Sequence, residues 1–148
     1  MRLAVDTNIL VAAHRTEAPH HPAAVRLVRE LAEGAEPWGL PWPCVHEFLR
    51  VVTHPRVFHP PTSSEVAWEA ISGLLQSPTA VMLSETDAHS VIVARLMSSS
   101  RVTGNLVHDL HIAALLIEHG VSTLLTLDED FRRFPDIQTE NPFQRRAE

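Results

Sequence analysis

The chain has no lysine, no tyrosine, a single cysteine and only five glycines in 148 residues. One cysteine, Cys44, excludes an intramolecular disulfide framework and any paired-cysteine zinc site, and it suits a reducing cytosol. No apolar run approaches the roughly 18 residues that a membrane span needs. Asp6 and Asn8 break the apolar stretch behind Arg2 before it reaches signal-peptide length. No GxGxxG follows the first apolar segment, so the dinucleotide fingerprint is missing, and no HExxH organises the ten histidines into a zinc site. Repeats, low-complexity tracts and long linkers are also lacking. What remains is a protein expected to be cytoplasmic and free of the membrane, with 45% hydrophobic residues to build the core of one domain over residues 1–148.

Positive charge is scarce too. The net charge is −6, which argues against broad electrostatic attraction to nucleic acid or anionic membranes while leaving room for a local basic site. All 12 basic residues are arginine, a bias better explained by a GC-rich genome than by chemistry, although arginine is the better phosphate fork.

Two Pro-rich pieces, 37-PWGLPWP-43 and 55-PRVFHPP-61, punctuate the chain. Apolar spacing and caps predict helices over 8–14, 21–33, 43–53, 63–76, 86–98 and 107–119. Short apolar runs predict strands at 2–5, 80–83 and 123–127, with shorter pieces near 38–40 and 137–139. Strands alternating with helices indicate an α/β fold, a parallel sheet sandwiched between helices. Ser98, Ser99 and Ser100 read as a loop and not as a nucleophile, because no base-orienting triad accompanies them.

In such sheets the ligand site lies beyond the carboxyl ends of the strands, and two acids fall there. Asp6 ends the opening run MRLAVDTNIL, and Asp128 follows 124-LLTL-127. Two more acids stand where they could join the pair. In 43-PCVHEFLRVV-52, Pro43 suits a helix's first position, Val45, Phe48, Leu49 and Val52 make a buried face, and Glu47 lies off it. In 104-GNLVHDLHIAALLIEHG-120, Asp109 sits at the positive end of a helix that is apolar nearly all round and ends at Gly120.

Four carboxylates brought together repel one another unless a cation joins them. Mg2+ or Mn2+, which prefer oxygen ligands in octahedral geometry, would suit Asp6, Glu47, Asp109 and Asp128, and the chemistry supported is phosphodiester hydrolysis by metal-activated water. Each acid also has a plainer reading. Asp6 could cap the following helix, Glu47 could be a solvated charge, Asp109 a first-turn acid, and Asp128 the cap of 129-EDFRRF-134. A phosphatase of the haloacid dehalogenase type would also begin with a strand and an acid, but its general acid should stand where this chain has Asn8.

VDTNIL, the helix carrying Glu47, 104-GNLVHDLHIAALLIEHG-120 and 126-TLDEDFRRFPDIQTENP-142 together resemble a PIN-domain protein, specifically the VapC-type toxins of bacterial toxin–antitoxin pairs. The resemblance runs from Arg2 to about Pro142, and between 54 and 103 it is confined to general organisation and fragments such as THPRVF. It implies a Rossmann-like three-layer α/β/α sandwich and an Mg2+-dependent ribonuclease acting on structured RNA such as tRNA or rRNA. It further implies a homodimer and a neighbouring VapB-type antitoxin with a basic tail. Asp6, Glu47 and Asp109 match the family's three principal acids and Asp128 its more variable fourth. Asn8 and Thr126 match polar positions bordering the site, and Asp130 is a further candidate behind the ligands. The alternative is a non-catalytic PIN-like module whose acidic cleft docks a basic peptide, with the helix in 62-TSSEVAWEAISGLL-75 serving a protein interface through Val66, Ile71, Leu74 and Leu75.

Overall fold

A computed structural model describes residues 1–144; residues 145–148 of the expected domain lie outside the described residues. Five strands form one wholly parallel sheet: β1 (Leu3–Val5), β2 (Trp38–Pro41), β3 (Ala80–Leu83), β4 (Thr123–Leu125) and β5 (Gln138–Glu140). Their spatial order is β3-β2-β1-β4-β5. The chain therefore builds outward from β1 through β2 to β3, then returns and builds outward on the other side. The reversal leaves a crevice between the carboxyl ends of β1 and β4.

Both faces of the sheet are covered. Successive strand residues point to opposite sides, so Ala4 and Leu124 enter one core while Val5 and Leu125 enter the other. The first core is closed by α5 (His89–Ser100) and α6 (Leu106–Glu118), through Leu96, Leu110 and the buried run Ile112 to Leu116. The second is closed by α1 (Thr7–His14), α2 (His21–Glu33), α3 (Trp42–Val52) and α4 (Ser64–Leu75), through Ile9, Leu10, Phe48, Val52 and Ile71. The expected three-layer α/β/α arrangement is what the chain forms. On α4, Ala67 and Ile71 are spent on the core, whereas Val66 and Trp68 remain exposed. Among the described residues no helix is long and apolar enough to cross a membrane.

Every expected helix and strand is present; 21–33 and 80–83 fall where expected, and the others shift by one to three residues at one or both ends. The first helix begins one residue early, at Thr7, because Asp6 accepts a hydrogen bond from the Thr7 N–H at 2.7 Å and caps it. Pro43 takes the second helical position, not the first, which costs nothing because N–H groups of the first turn have no helical partner. The 86–98 helix instead spans His89–Ser100, so the serine run is its last turn and not a loop; termination waits for Arg101, which adopts a left-handed conformation at φ 50°. Strand β4 stops at Leu125, two residues short, which frees Thr126 and Leu127 for the crevice.

Beyond β4 the chain makes a short 3-10 turn, Asp130–Arg133. Phe131 and Phe134 from this segment are buried in the α5/α6 core and in contact with each other, with ring centroids 6.3 Å apart. Those two rings fix the turn against the sheet. Phe131→Ala should therefore destabilise the protein by about 3–5 kcal/mol, read from urea denaturation, whereas Val91→Ala, on the exposed side of α5, should change stability by no more than about 0.5 kcal/mol.

Candidate functional site

The crevice between β1 and β4 is floored by a hydrogen-bond network whose direction can be worked out atom by atom. Asn8 Oδ1 accepts from the Leu127 N–H at 3.2 Å, so the amide nitrogen must face the other way, where Nδ2 donates to Thr126 Oγ1 at 3.2 Å. Thr126 Oγ1 also accepts from the Asp128 N–H at 3.0 Å. A hydroxyl has two acceptor positions and one proton, so the proton is left to donate to Asp6 Oδ2 at 2.7 Å. Asp6 Oδ1 accepts from the Thr7 N–H and, at 3.6 Å, from the Cys44 thiol. Asp6 is only 5% exposed, yet both of its oxygens have partners.

Above this floor three more carboxylates meet. Asp109, Asp128 and Asp130 each present an oxygen within 4.8 Å of the other two. Asp109 comes from the first turn of α6, and Asp128 and Asp130 come from the segment leading into the 3-10 turn. Burial together with the Asp128 charge pushes the Asp109 carboxyl up to about 6, with Asp6 and Asp130 adding to the push and His108 opposing it. Asp6 is also raised, chiefly by burial, although the Thr126, Thr7 and Cys44 hydrogen bonds pull the other way. The cleft occupies about 540 Å3; Asp6, Asn8, Glu47, Asp109 and Asp128 are among its polar lining, and Val11, Val51 and Phe58 give it apolar surface.

A model of the PIN domain family matches residues 3–137. The chain belongs to the PIN-domain family. Its relatives include Ribonuclease VapC43 of Mycobacterium tuberculosis, 39% identical over 140 residues that cover 95% of each chain. Ribonuclease VapC48 of the same species is 35% identical over 138 residues, covering 93% of this chain and 95% of the relative. Among solved structures, VapBC2 from Rickettsia felis, bound to a DNA fragment from its promoter, superposes with a TM-score of 0.63 over 95% of this chain and 98% of that one at 20% identity.

Within the PIN fold, the residues singled out from sequence are brought together unequally. Asp6, Asn8 and Thr126 form the floor, and Asp109 and Asp128 rise from it. Glu47 reaches the same cleft from α3, but its carboxylate is paired with Arg50, whose Nε donates to Oε2 at 3.0 Å while the guanidinium also engages Oε1. That hydrogen bond holds Glu47 below the usual carboxylate range despite its partial burial. Asp130 differs from expectation: it stands beside Asp109 and Asp128, not behind them. The reason is local. Asp128 Oδ1 accepts from the Asp130 N–H at 2.9 Å, a turn geometry that does not impose the 200° separation of an α-helix.

Two residues given no role from sequence also belong here. His108 lines the cleft, and its charge acts on both Glu47 and Asp109. Cys44 is fully buried, and burial next to Asp6 pushes its thiol well up, so it serves as a neutral donor. Neither carries a sequence signal beyond adjacency to an element end. The oxygen-rich set Asp109, Asp128 and Asp130, with one carboxyl raised by burial and by the neighbouring acids, fits a hard divalent cation of the Mg2+ or Mn2+ class.

Burial and this crowding together set a pH dependence. A carboxyl whose folded value lies near 6 and whose unfolded value is 3.8 binds more protons in the folded protein than in the unfolded chain over that window. Its contribution to stability is thus lost as pH rises through the window. In EDTA, Asp109→Asn should gain stability over the parent as pH climbs from about 4 to 6.5, with no gain below pH 4 and a smaller one in saturating Mg2+. Urea denaturation of both proteins across the pH range measures it; a difference that does not vary with pH contradicts the crowding argument.

Proposed function

We propose that this chain is a metal-dependent endoribonuclease toxin of a bacterial toxin–antitoxin pair, cleaving structured RNA such as tRNA or rRNA in the cytoplasm. The observation that carries this reading is the convergence of Asp6, Asp109, Asp128 and Asp130 at the strand-order reversal of a PIN fold. Further support comes from relatives named VapC ribonucleases, which align over 93–95% of the chain. Mg2+ is the assigned cation, with Mn2+ as a substitute.

Asp109 and Asp128 would hold the cation, with Asp130 alongside and Asp6 contributing from below. A divalent cation bound there supplies an activated water for attack on phosphorus and positive charge for the phosphoryl oxygens. The remaining work belongs to the chain. Thr126 and Asn8 keep Asp6 oriented, and the apolar lining of Val11, Val51 and Phe58 gives a base or ribose a dry surface. Glu47, at the same cleft, completes the acid set when it parts from Arg50. The protein works as a homodimer, and its VapB-type antitoxin silences it by laying a basic tail in the acidic cleft.

Purified, antitoxin-free protein should cleave RNA only when Mg2+ or Mn2+ is supplied, read by mapping RNA ends. Cleavage at the same sites in EDTA would overturn the metal assignment. Asp6→Asn should abolish cleavage, because a neutral amide is a poor ligand for a hard dication.

The roles of Asp128 and Asp130 are separable by the same assay run against Mg2+ concentration. Asp128→Asn should retain the turn and the melting temperature, since Asn and Asp cap about equally, yet raise the Mg2+ requirement. If Asp130→Asn shifts the Mg2+ curve more than Asp128→Asn does, the cation sits two residues further along.

A further inference from the structure

A second cluster of metal-binding side chains lies outside the acidic cleft. Glu85, in the loop after β3, His89, at the start of α5, and His111, on α6, each present a ligand atom within 4.8 Å of the other two. The loop after β3 and the start of α5, consecutive in the chain, meet α6 there. The two imidazoles stand edge to face with centroids 5.5 Å apart, and His111 Nε2 lies 2.7 Å from Glu85 Oε1.

The surroundings look built for ligation and not for a surface ion pair. Glu118 has a side chain with no exposed surface, and its Oε2 lies 2.7 Å from His89 Nδ1. Its other oxygen accepts from both the N–H and the hydroxyl of Thr86, each at 2.9 Å. Glu118 is thereby immobilised and holds the Nδ1 proton of His89, which leaves Nε2 of that ring as the lone-pair donor. A carboxylate that fixes the tautomer and aim of a histidine is the usual companion of a metal-bound imidazole. One residue further along, His119 Nε2 lies 2.7 Å from the Ser84 carbonyl, tying the same loop to the same helix end.

We infer that Glu85, His89 and His111 form a second metal site, for a borderline transition ion of the zinc class, with water as the fourth ligand. Two imidazoles and one carboxylate are a donor set that zinc accepts and magnesium does not favour. Bonds of about 2.0–2.2 Å draw the three donors to roughly 3.3 Å from one another, a small adjustment for side chains that are partly exposed. The site is separate from the cleft. His111 lies two positions beyond Asp109 and so is turned about 200° around α6, and β3 is separated from β1 by β2. An ion bound there clips the loop after β3 to both helices of one layer, so it stabilises the folded chain by mass action.

The test uses the tag-free full chain in a large excess of Mg2+, which fills oxygen sites and leaves the imidazoles free. One equivalent of Zn2+ should bind and raise the melting temperature, and X-ray absorption at the zinc edge should report two imidazole nitrogens. His89→Ala and His111→Ala should each abolish the thermal shift, Glu118→Gln should weaken Zn2+ binding by about 10–100-fold, and Asp128→Asn should leave it unchanged. Absence of Zn2+ binding under these conditions would overturn the proposal, as would a shell without imidazole, loss of binding in Asp128→Asn, or undiminished affinity in the folded histidine variants. The absorption spectrum of the parent protein decides the matter if those variants fail to fold. Because the readout is metal binding and not RNA cleavage, the proposal stands or falls independently of the nuclease reading.

Discussion

The hydrogen bond from Thr126 to Asp6 joins the ends of two neighbouring strands and puts a carboxylate into the protein interior. A buried carboxylate is costly unless its oxygens are met by donors, and here the donors come from three directions: a strand exit, a helix N-terminus and a thiol. That requirement constrains the elements around it. Strand β4 has to stop early enough to turn Thr126 inward, α1 has to start at Thr7, and α3 has to bring Cys44 beneath the carboxylate. Each of these is observed, and each displaces an element boundary from where apolar spacing alone would put it or gives a buried side chain a polar task.

The floor also determines how the upper acids stand. The Asp128 N–H is held by Thr126, and the Asp128 carboxylate in turn holds the Asp130 N–H, so a single chain of hydrogen bonds runs from the strand end into the acidic cluster. Phe131 and Phe134 anchor the far side of that turn in the core. Acids this close tolerate one another only with a shared proton or a shared cation, and the Asp109 carboxyl is pushed up first by burial and then by the charge of Asp128.

Much of the fold was legible because its elements carry strong local signals. The continuously apolar LAV and LLTL runs, the capped helices and the all-round apolar Leu110 to Ile117 stretch leave little choice but a parallel sheet between helices. Asp6, Asp109 and Asp128 were legible from their places at element ends, whereas Asn8 and Thr126 entered only through the resemblance to PIN-domain proteins. Less accessible was anything decided by a turn or a rotamer. The inclusion of Asp130 follows from an Asp128 side chain closing a turn, and the pairing of Glu47 follows from which way Arg50 points. Ser98 to Ser100 are helical because a left-handed Arg101, not composition, decides where α5 ends.

The Glu47–Arg50 pair has an effect on the cleft as a whole. Along the α3 wall the negative charge is answered by a guanidinium three residues away, whereas the wall made by α6 and the turn after β4 carries three carboxylates at close quarters. The cleft is therefore electrically lopsided, near neutral on one bank and strongly negative on the other. Any charged polymer lying in it meets two different potentials across its width, and so has a preferred side before a single base or side chain is read.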